Sequence, residues 1–280
     1  MRKLSASNLI PFFFLLPSLA VMIVLYLYPF VSSIYRSFVS DEGMVTLQFY
    51  ETAIINYKAD ILFSIEVSIL STVISTVMSI LMAAYLRLTS RRIGRLFNSL
   101  YRIPLFIPFV VVAQMMRTFL APHGLLNIFF AQFGLINLET PLELFDWKGL
   151  TIGFVWKQTA FMTLMALGGF TMIKDEMIEA ARSVGANALR VIWSIMVPIA
   201  RTIIVVAVIL TFASNISTFS LPYIFIGGSI PTTITVDIAH RVGYFRDWGT
   251  ANALGVISYI VVFAAAIYYM KYMVGRESYG

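Results

Sequence analysis

The chain alternates long apolar runs with short polar stretches, the runs lying near residues 9–35, 61–86, 103–120, 150–173, 199–222 and 251–273. A hydrocarbon core of about 30 Å takes about 20 apolar residues of helix to cross, so each run is long enough for one span. Lipid satisfies no backbone polar group, so each run must close its hydrogen bonds internally, and barrel strands would be shorter and alternate in polarity. The pattern predicts an all-α membrane protein with six transmembrane helices, a single transmembrane domain over 1–280, and a polar segment at 174–198 between the fourth and fifth helices. The non-spanning stretches stay well short of the roughly 50 residues an independent domain needs. No repeat at the period of about 20–50 residues typical of solenoids is visible.

Local signals refine this layout. The segment 36–60, with Asp41-Glu42-Gly43 and Phe49-Tyr50, reads as too polar to span, and Arg87 to Arg95 reads as a loop. Pro104 and Pro108 remove helical hydrogen bonds and predict a bend in the third helix, which would shape a cavity. Between Pro122 and Gly149, the run Gly124-Leu125-Leu126-Asn127 and an apolar patch through Phe133 predict a short interfacial helix. Gly168 and Gly169 in the fourth helix allow a close approach by a neighbour. Within 174–198, Asp175, Glu176 and Glu179 suit a helix N-terminal half and Gly185 suits its end, where a left-handed residue costs little. The chain resumes as Ala188 to Met196 before Pro198, so a helix–turn–helix is predicted. Ile178, Ala181, Val191, Ile192 and Ile195 would lie on membrane or protein, with Glu179, Arg182 and Asn187 in polar surroundings.

Composition supports the bilayer reading. Hydrophobic residues make up 59% and charged residues only 12%, against about 25% charged in soluble domains. With the N-terminus inside, Arg2, Lys3, Arg87, Arg91, Arg92, Arg95, Arg102, Lys174, Arg182, Arg190, Arg201, Lys271 and Arg276 fall on the inner side, thirteen of the twenty basic residues. Such an excess marks cytoplasmic segments, so both termini are expected in the cytosol. Trp147, Trp156 and Trp248 would sit near the outer boundary and Trp193 near the inner one. The net charge of +6 does not imply nucleic acid, because the basic residues flank apolar spans rather than forming a stripe. The chain has no cysteine, which excludes disulfides and thiolate metal sites. His123 and His240 read as solvated loop residues. The first run continues through Tyr26, Tyr28 and Pro29 without an A-x-A site, so it reads as a retained helix rather than a signal peptide.

Ionisable residues inside spans are functional candidates by default. Glu66, Arg117 and Lys157 are candidates for solute contact, or for anchors that snorkel to the membrane edge. Gln114, Gln158, Ser214, Asn215, Ser217 and Thr218 lie deeper. They either line a midplane cavity or bond helix to helix.

The segment 174–198 also carries a motif. The spacing Glu-Ala-Ala, three residues, Gly, nine residues, Ile, one residue, Leu-Pro is met by Glu179, Ala180, Ala181, Gly185, Ile195 and Pro198, with Val197 in place of the leucine. This resembles the signature of the inner-membrane permease subunits of binding-protein-dependent ABC importers. The likeness extends through Leu16-Pro17, Tyr28-Pro29, Gly124-Leu125-Leu126-Asn127 and the last helix after Arg246-Asp247-Trp248. It implies that residues 175–190 form a cytoplasmic coupling helix seated in a groove of a cytosolic ATPase. Glu179, Ala180, Ala181, Arg182, Gly185, Ala186 and Pro198 would serve that contact, the small residues packing closely and Glu179 meeting a basic group. The same resemblance implies an ABC ATPase dimer, a second and distinct permease subunit, and an extracytoplasmic solute-binding protein as partners. The location would be the cytoplasmic membrane of a bacterium or archaeon.

No G-x-x-x-x-G-K-[ST] loop occurs, and Gly227-Gly228-Ser229 is followed by no lysine, so ATP and Mg belong to the partner ATPase and no cofactor is expected here. The chain reads as a transporter and not an enzyme. An ion-coupled secondary transporter would call for buried carboxylates and inverted repeats, whereas Glu66 is the one acidic residue expected within a span. Sugar permeases of this type commonly place Asp before the signature glycine, where this chain has Val184. That residue, Arg246-Asp247-Trp248 and Pro222 before Gly227-Gly228 lean toward a polyamine-like solute. A carbohydrate of the oligosaccharide or glycerol-phosphate type is the alternative.

Overall fold

The computed structural model describes residues 6–40, 42–89, 92–226 and 231–271. Asp41, Arg91, Gly227-Gly228-Ser229, and the terminal Arg2, Lys3 and Arg276 lie outside the described residues. So does the expected end of the last span at 273. Among the described residues the elements are helical, apart from one bridge between Val39 and Val45.

In order they are α1 (Ala6–Met22), a π-helical turn (Ile23–Leu27), α2 (Tyr28–Ser37), α3 (Gln48–Leu88), α4 (Arg92–Leu100), α5 (Ile103–Phe106), α6 (Phe109–Phe119) and α7 (Leu125–Gln132). There follow α8 (Trp147–Thr171), α9 (Asp175–Ser183), α10 (Ala188–Val191), a π turn (Ile192–Met196), α11 (Val197–Ile199), α12 (Arg201–Ser217) and α13 (Ser220–Ile226). The chain closes with α14 (Ile234–His240), a π turn (Arg241–Phe245) and α15 (Trp248–Tyr269). Two of the π turns end just ahead of a proline, Pro29 or Pro198. A proline interrupts the i→i−4 ladder, and a widened turn ahead of it accommodates the ring.

Four helical stretches are long and apolar enough to cross a membrane, Phe14–Ser37, Gln48–Leu88, Trp147–Thr171 and Trp248–Tyr269. The number rises to six if each of two bent pairs is one span. Leu96–Phe106 and Phe109–Phe119 meet at 108°, and Ala188–Ile199 and Arg201–Ser217 at 80°. The bend expected at Pro104 and Pro108 is therefore present, and it breaks the helix outright. Ile107 is extended at φ −89°, ψ 119°.

Several sequence boundaries need correction. The helix expected from residue 61 begins at Gln48, so much of the supposed outer segment is helical. Hydropathy registers only what lipid must solvate, and a helix of 41 residues is about 60 Å long at 1.5 Å per residue, well beyond the bilayer core. Helix also starts at Arg92 within the expected loop, and the fifth run stops at Ser217 before a second short helix, α13. His240 ends α14 edge-on to Tyr244 rather than lying in a loop.

By packing, the chain groups into two units. One holds the described residues of Met1–Lys58 with Asp237–Ile257. There Ser33 donates to Asn252 at 2.8 Å and Arg241 pairs with Asp247 at 3.1 Å beneath the Tyr57 ring. Asp247 also caps α15 by accepting from the Thr250 amide at 2.9 Å.

The other unit, Ala59–Val236 with Ser258–Gly280, has two apolar cores. One gathers Ile80, Met162, Phe170, Ile178, Val191, Met196 and Ile204 around the 174–198 segment. The second gathers Val67, Val112, Leu120, Phe154, Leu221 and Phe225. Gly169 lets α8 approach α12 closely, because a Cβ there would stand 2.8 Å from the Ala200 Cβ. Gly168 has open space, so only one of the two glycines serves the close approach.

Candidate functional site

The helix–turn–helix forms as the sequence predicts. α9 ends in a turn where the Ala186 amide donates to Ala181 O at 3.0 Å and the Gly185 amide to Arg182 O at 2.9 Å. Gly185 has φ +86°, the left-handed value that favours glycine. Asn187 then caps α10, its Oδ1 accepting from the Arg190 amide at 2.8 Å.

Two faces result. Ile178, Val191, Ile192 and Met196 are buried in the first core, with Ala181, Ala186 and Ile195 half-buried against it. Glu179, Ala180, Arg182, Gly185 and Pro198 are exposed. The Glu179 carboxylate has no partner among the described residues. The apolar side chains left open between membrane and protein thus pack on the chain itself.

A residue that sequence reasoning had assigned only to topology fixes this segment in place. Arg87, at the end of α3, donates from Nε to Phe170 O at 3.1 Å and from Nη2 to Ile173 O at 2.8 Å. The same Nη2 meets Asp175 Oδ1 at 2.6 Å. The last carbonyls of α8 and the first turn of α9 are joined by one guanidinium. The Phe170 carbonyl also accepts from the Ile173 amide at 3.3 Å, and a carbonyl just past a helix end such as that of Ile173 lacks an intrahelical partner.

A polar layer separates the two cores on α3, between Val67 and Ile80, and on α8, between Phe154 and Met162, and it continues on α12 beyond Val208. Gln158, 5% exposed, donates to Ser214 Oγ and to Asn215 Oδ1, both at 3.0 Å. Asn215, 3% exposed, donates to Thr72 Oγ1 at 3.3 Å. Thr218 folds back to Ser214 O at 2.6 Å and its own carbonyl accepts from Thr235. The structure thus brings together Gln158, Ser214 and Asn215, as interhelical hydrogen bonding would.

Sequence reading missed what α3 brings to this layer. Ser68, Ser71, Thr72, Ser75 and Ser79 are buried there. Their recurring spacing of three and four residues was the signal available. The hydroxyls of Ser71, Ser75, Thr159 and Thr211 are buried without a hydrogen-bond partner among the described residues.

The remaining candidates lie apart. Gln114 and Ser217 are exposed. Gln114 lines an apolar groove with Met115, Phe119, Leu125, Ile152 and Trp156. Glu66 is exposed on α3. It is not the only acidic residue in a spanning helix, since Asp60 of α3 is buried and accepts from the Thr232 amide at 2.8 Å. Arg117 donates to Ile224 O at 2.9 Å. The Lys157 ammonium is bonded to carbonyls of the α5–α6 break.

The motif residues outside 174–198 have local duties. A Cβ on Gly124 would stand 2.5 Å from Thr118 O. Fully buried Asn127 bonds both the amide and the carbonyl of Leu142 and the carbonyl of Ala121. Val184 is 85% exposed at the end of α9, and Arg246 is a left-handed residue leading into the Asp247 cap.

Comparison with known proteins gives a consistent result. The family described as "Binding-protein-dependent transport system inner membrane component" matches residues 75–277. The trehalose/maltose transport system permease of Thermococcus litoralis is 30% identical over 200 residues, 68% of this chain and 66% of that protein. The sn-glycerol-3-phosphate transport system permease of Brucella abortus is 26% identical, with all of both chains covered. In structure, a chain of a bacterial alginate ABC transporter in complex with an alginate pentasaccharide-bound periplasmic protein superposes with TM-score 0.80, at 18% identity and 96% coverage of each chain. These relatives are named for carbohydrates and a glycerol phosphate. They favour the alternative over the polyamine-like solute.

Proposed function

This chain belongs to the family of binding-protein-dependent transport system inner membrane components, and on that premise we propose that it passes a carbohydrate inward by alternating access. It is a permease subunit of an ABC importer. The observation that carries the choice of solute is the polar layer of Thr72, Gln158, Ser214 and Asn215, which offers amides and hydroxyls and no carboxylate. Such groups suit a polyhydroxyl solute, whereas a polycation calls for anionic partners. Relatives named for trehalose/maltose and for sulfoquinovosyl glycerol agree with a carbohydrate.

In this reading a cytosolic ATPase dimer, which holds ATP and Mg, docks on the exposed face of α9 and its turn. Glu179, Ala180, Arg182 and Gly185 make the contact, and half-buried Ala181 and Ala186 key the segment to the bundle beside Pro198. Arg87 passes the motion to α3 and α8. Hydroxyls with no fixed partner, Ser71, Ser75 and Thr211, let the helices of the layer exchange hydrogen bonds at little cost. Gln114, Ser217, Thr218 and Glu66 are further positions along the path. A second, distinct permease completes the pathway, and an extracytoplasmic binding protein delivers the solute. Both termini face the cytosol of a bacterial or archaeal cytoplasmic membrane.

The test is uptake into proteoliposomes holding the assembled complex and its binding protein. Labelled maltose or trehalose should accumulate only with internal ATP. Accumulation of spermidine instead would overturn the solute, and accumulation driven by an ion gradient without the ATPase would overturn the importer reading.

A further inference from the structure

Lys157 is the eleventh residue of α8, about 15 Å beyond Trp147 at 1.5 Å per residue, and so near the middle of a bilayer core of about 30 Å. A charge at that depth needs partners. Lys157 has no carboxylate among the described residues. Its Nζ donates instead to the carbonyl oxygens of Pro104, Leu105 at 3.3 Å and Ile107 at 2.7 Å. The Phe109 ring centroid lies 5.4 Å from it.

The sequence explains why those oxygens are available. In a continuous helix Pro104 O would accept from the amide of residue 108, which is a proline and has none. Of the backbone amides, Pro104 O accepts only from that of Ile107 at 3.3 Å, the extended Ile107 takes its own carbonyl out of the ladder, and α6 restarts with the amides of Val111 and Val112 both on Pro108 O. An ammonium has three N–H groups, and three carbonyls converge on it. Every donor is used, which leaves none for a solute. Convergent backbone carbonyls are also the ligands that replace the hydration shell of monovalent cations.

We propose that the Lys157 ammonium is a tethered cation that fills a carbonyl cage made by the Pro104–Pro108 break, fixes the α5–α6 bend, and leaves a site for a small free cation when removed. The assignment concerns the break itself and holds whatever solute the chain carries.

The experiment uses the purified full-length chain in lipid nanodiscs, with Lys157→Ala and Lys157→Cys variants. Thermal unfolding is followed against methylammonium chloride, with choline chloride at equal ionic strength as control. Lys157→Ala should melt below the wild type and regain at least half of the loss, saturably, with methylammonium and not with choline. The wild type should be indifferent to both. Because the chain has no native cysteine, Lys157→Cys can be modified at that one position. An aminoethyl disulfide there should restore the melting temperature, and a neutral methyl disulfide should not. Wild-type melting of Lys157→Ala, equal effects of the two salts, or restoration by the neutral adduct would overturn the proposal. So would failure of both variants to insert with methylammonium present, since the cage should then fill from solution.

Discussion

Arg87 and Asp175 meet at 2.6 Å, and through this contact the end of α3 is tied to the start of α9. The two partners are unequal. The Arg87 side chain is only 18% exposed and holds two carbonyls at the end of α8 as well, whereas the Asp175 side chain is 71% exposed. Arg87→Met should therefore lower unfolding stability by about 2–3 kcal/mol, because it removes a charged donor shared by two carbonyls and a carboxylate and leaves the Ile173 carbonyl without it. Asp175→Asn should cost less than about 1 kcal/mol, as expected for an exposed pair. Denaturant unfolding in detergent measures both. Near-equal losses would contradict the asymmetry.

Gly185 stands in open space at φ +86°, so the limit on substitution is backbone conformation and not room for a side chain. Gly185→Asn should keep most of the transport-coupled ATPase rate, since asparagine tolerates the left-handed region. Gly185→Val should lose most of it, and Gly185→Asp should add a charge at the docking face and uncouple hydrolysis while leaving insertion intact. ATPase stimulation by the loaded binding protein in the assembled complex is the readout. Wild-type coupling in Gly185→Val would remove the turn from the mechanism.

The adjacent glycines of α8 separate cleanly. Gly169→Ala should destabilise, because its Cβ would press on Ala200. Gly168→Ala meets nothing and should be stabilising by about 0.5–1 kcal/mol, the ordinary gain of alanine over glycine within a helix. A pair of melting curves decides the matter.

Gln158 and Asn215 should behave as a coupled pair. A double-mutant cycle with Gln158→Leu and Asn215→Leu should give a coupling of about 0.6–1.7 kcal/mol, the range seen for interhelical hydrogen bonds in membranes. Strict additivity would mean that the amide contact at 3.0 Å adds no stability.

The candidate site was partly legible. The helix–turn–helix at 174–198 followed from Asp175, Glu176 and Gly185, because acidic residues at a helix start and a left-handed glycine at its end are local effects that a few neighbours settle. The break at Pro104 and Pro108 was legible for the same reason. The partner of that break was not, because Lys157 is distant in sequence and nothing local marks where its ammonium goes. Arg87 looked like one more positive residue at a membrane edge. Its role depends on two carbonyls and a carboxylate some eighty residues downstream. The buried Asp60 was passed over because the helix that carries it outruns its apolar run.

What the chain determined by itself is the all-α membrane fold and the motif of the polar segment. Lipid imposes its requirement residue by residue, so about 20 apolar positions in a row announce a span without reference to any other part of the molecule. What only the tertiary structure decided is the pairing of the polar groups between those helices: Arg87 with the end of α8, Lys157 with a broken helix, Gln158 with Asn215. A buried hydrogen bond needs its donor and acceptor within about 3 Å. Which groups come that close is set by how separate helices pack, and no local pattern in the sequence records it.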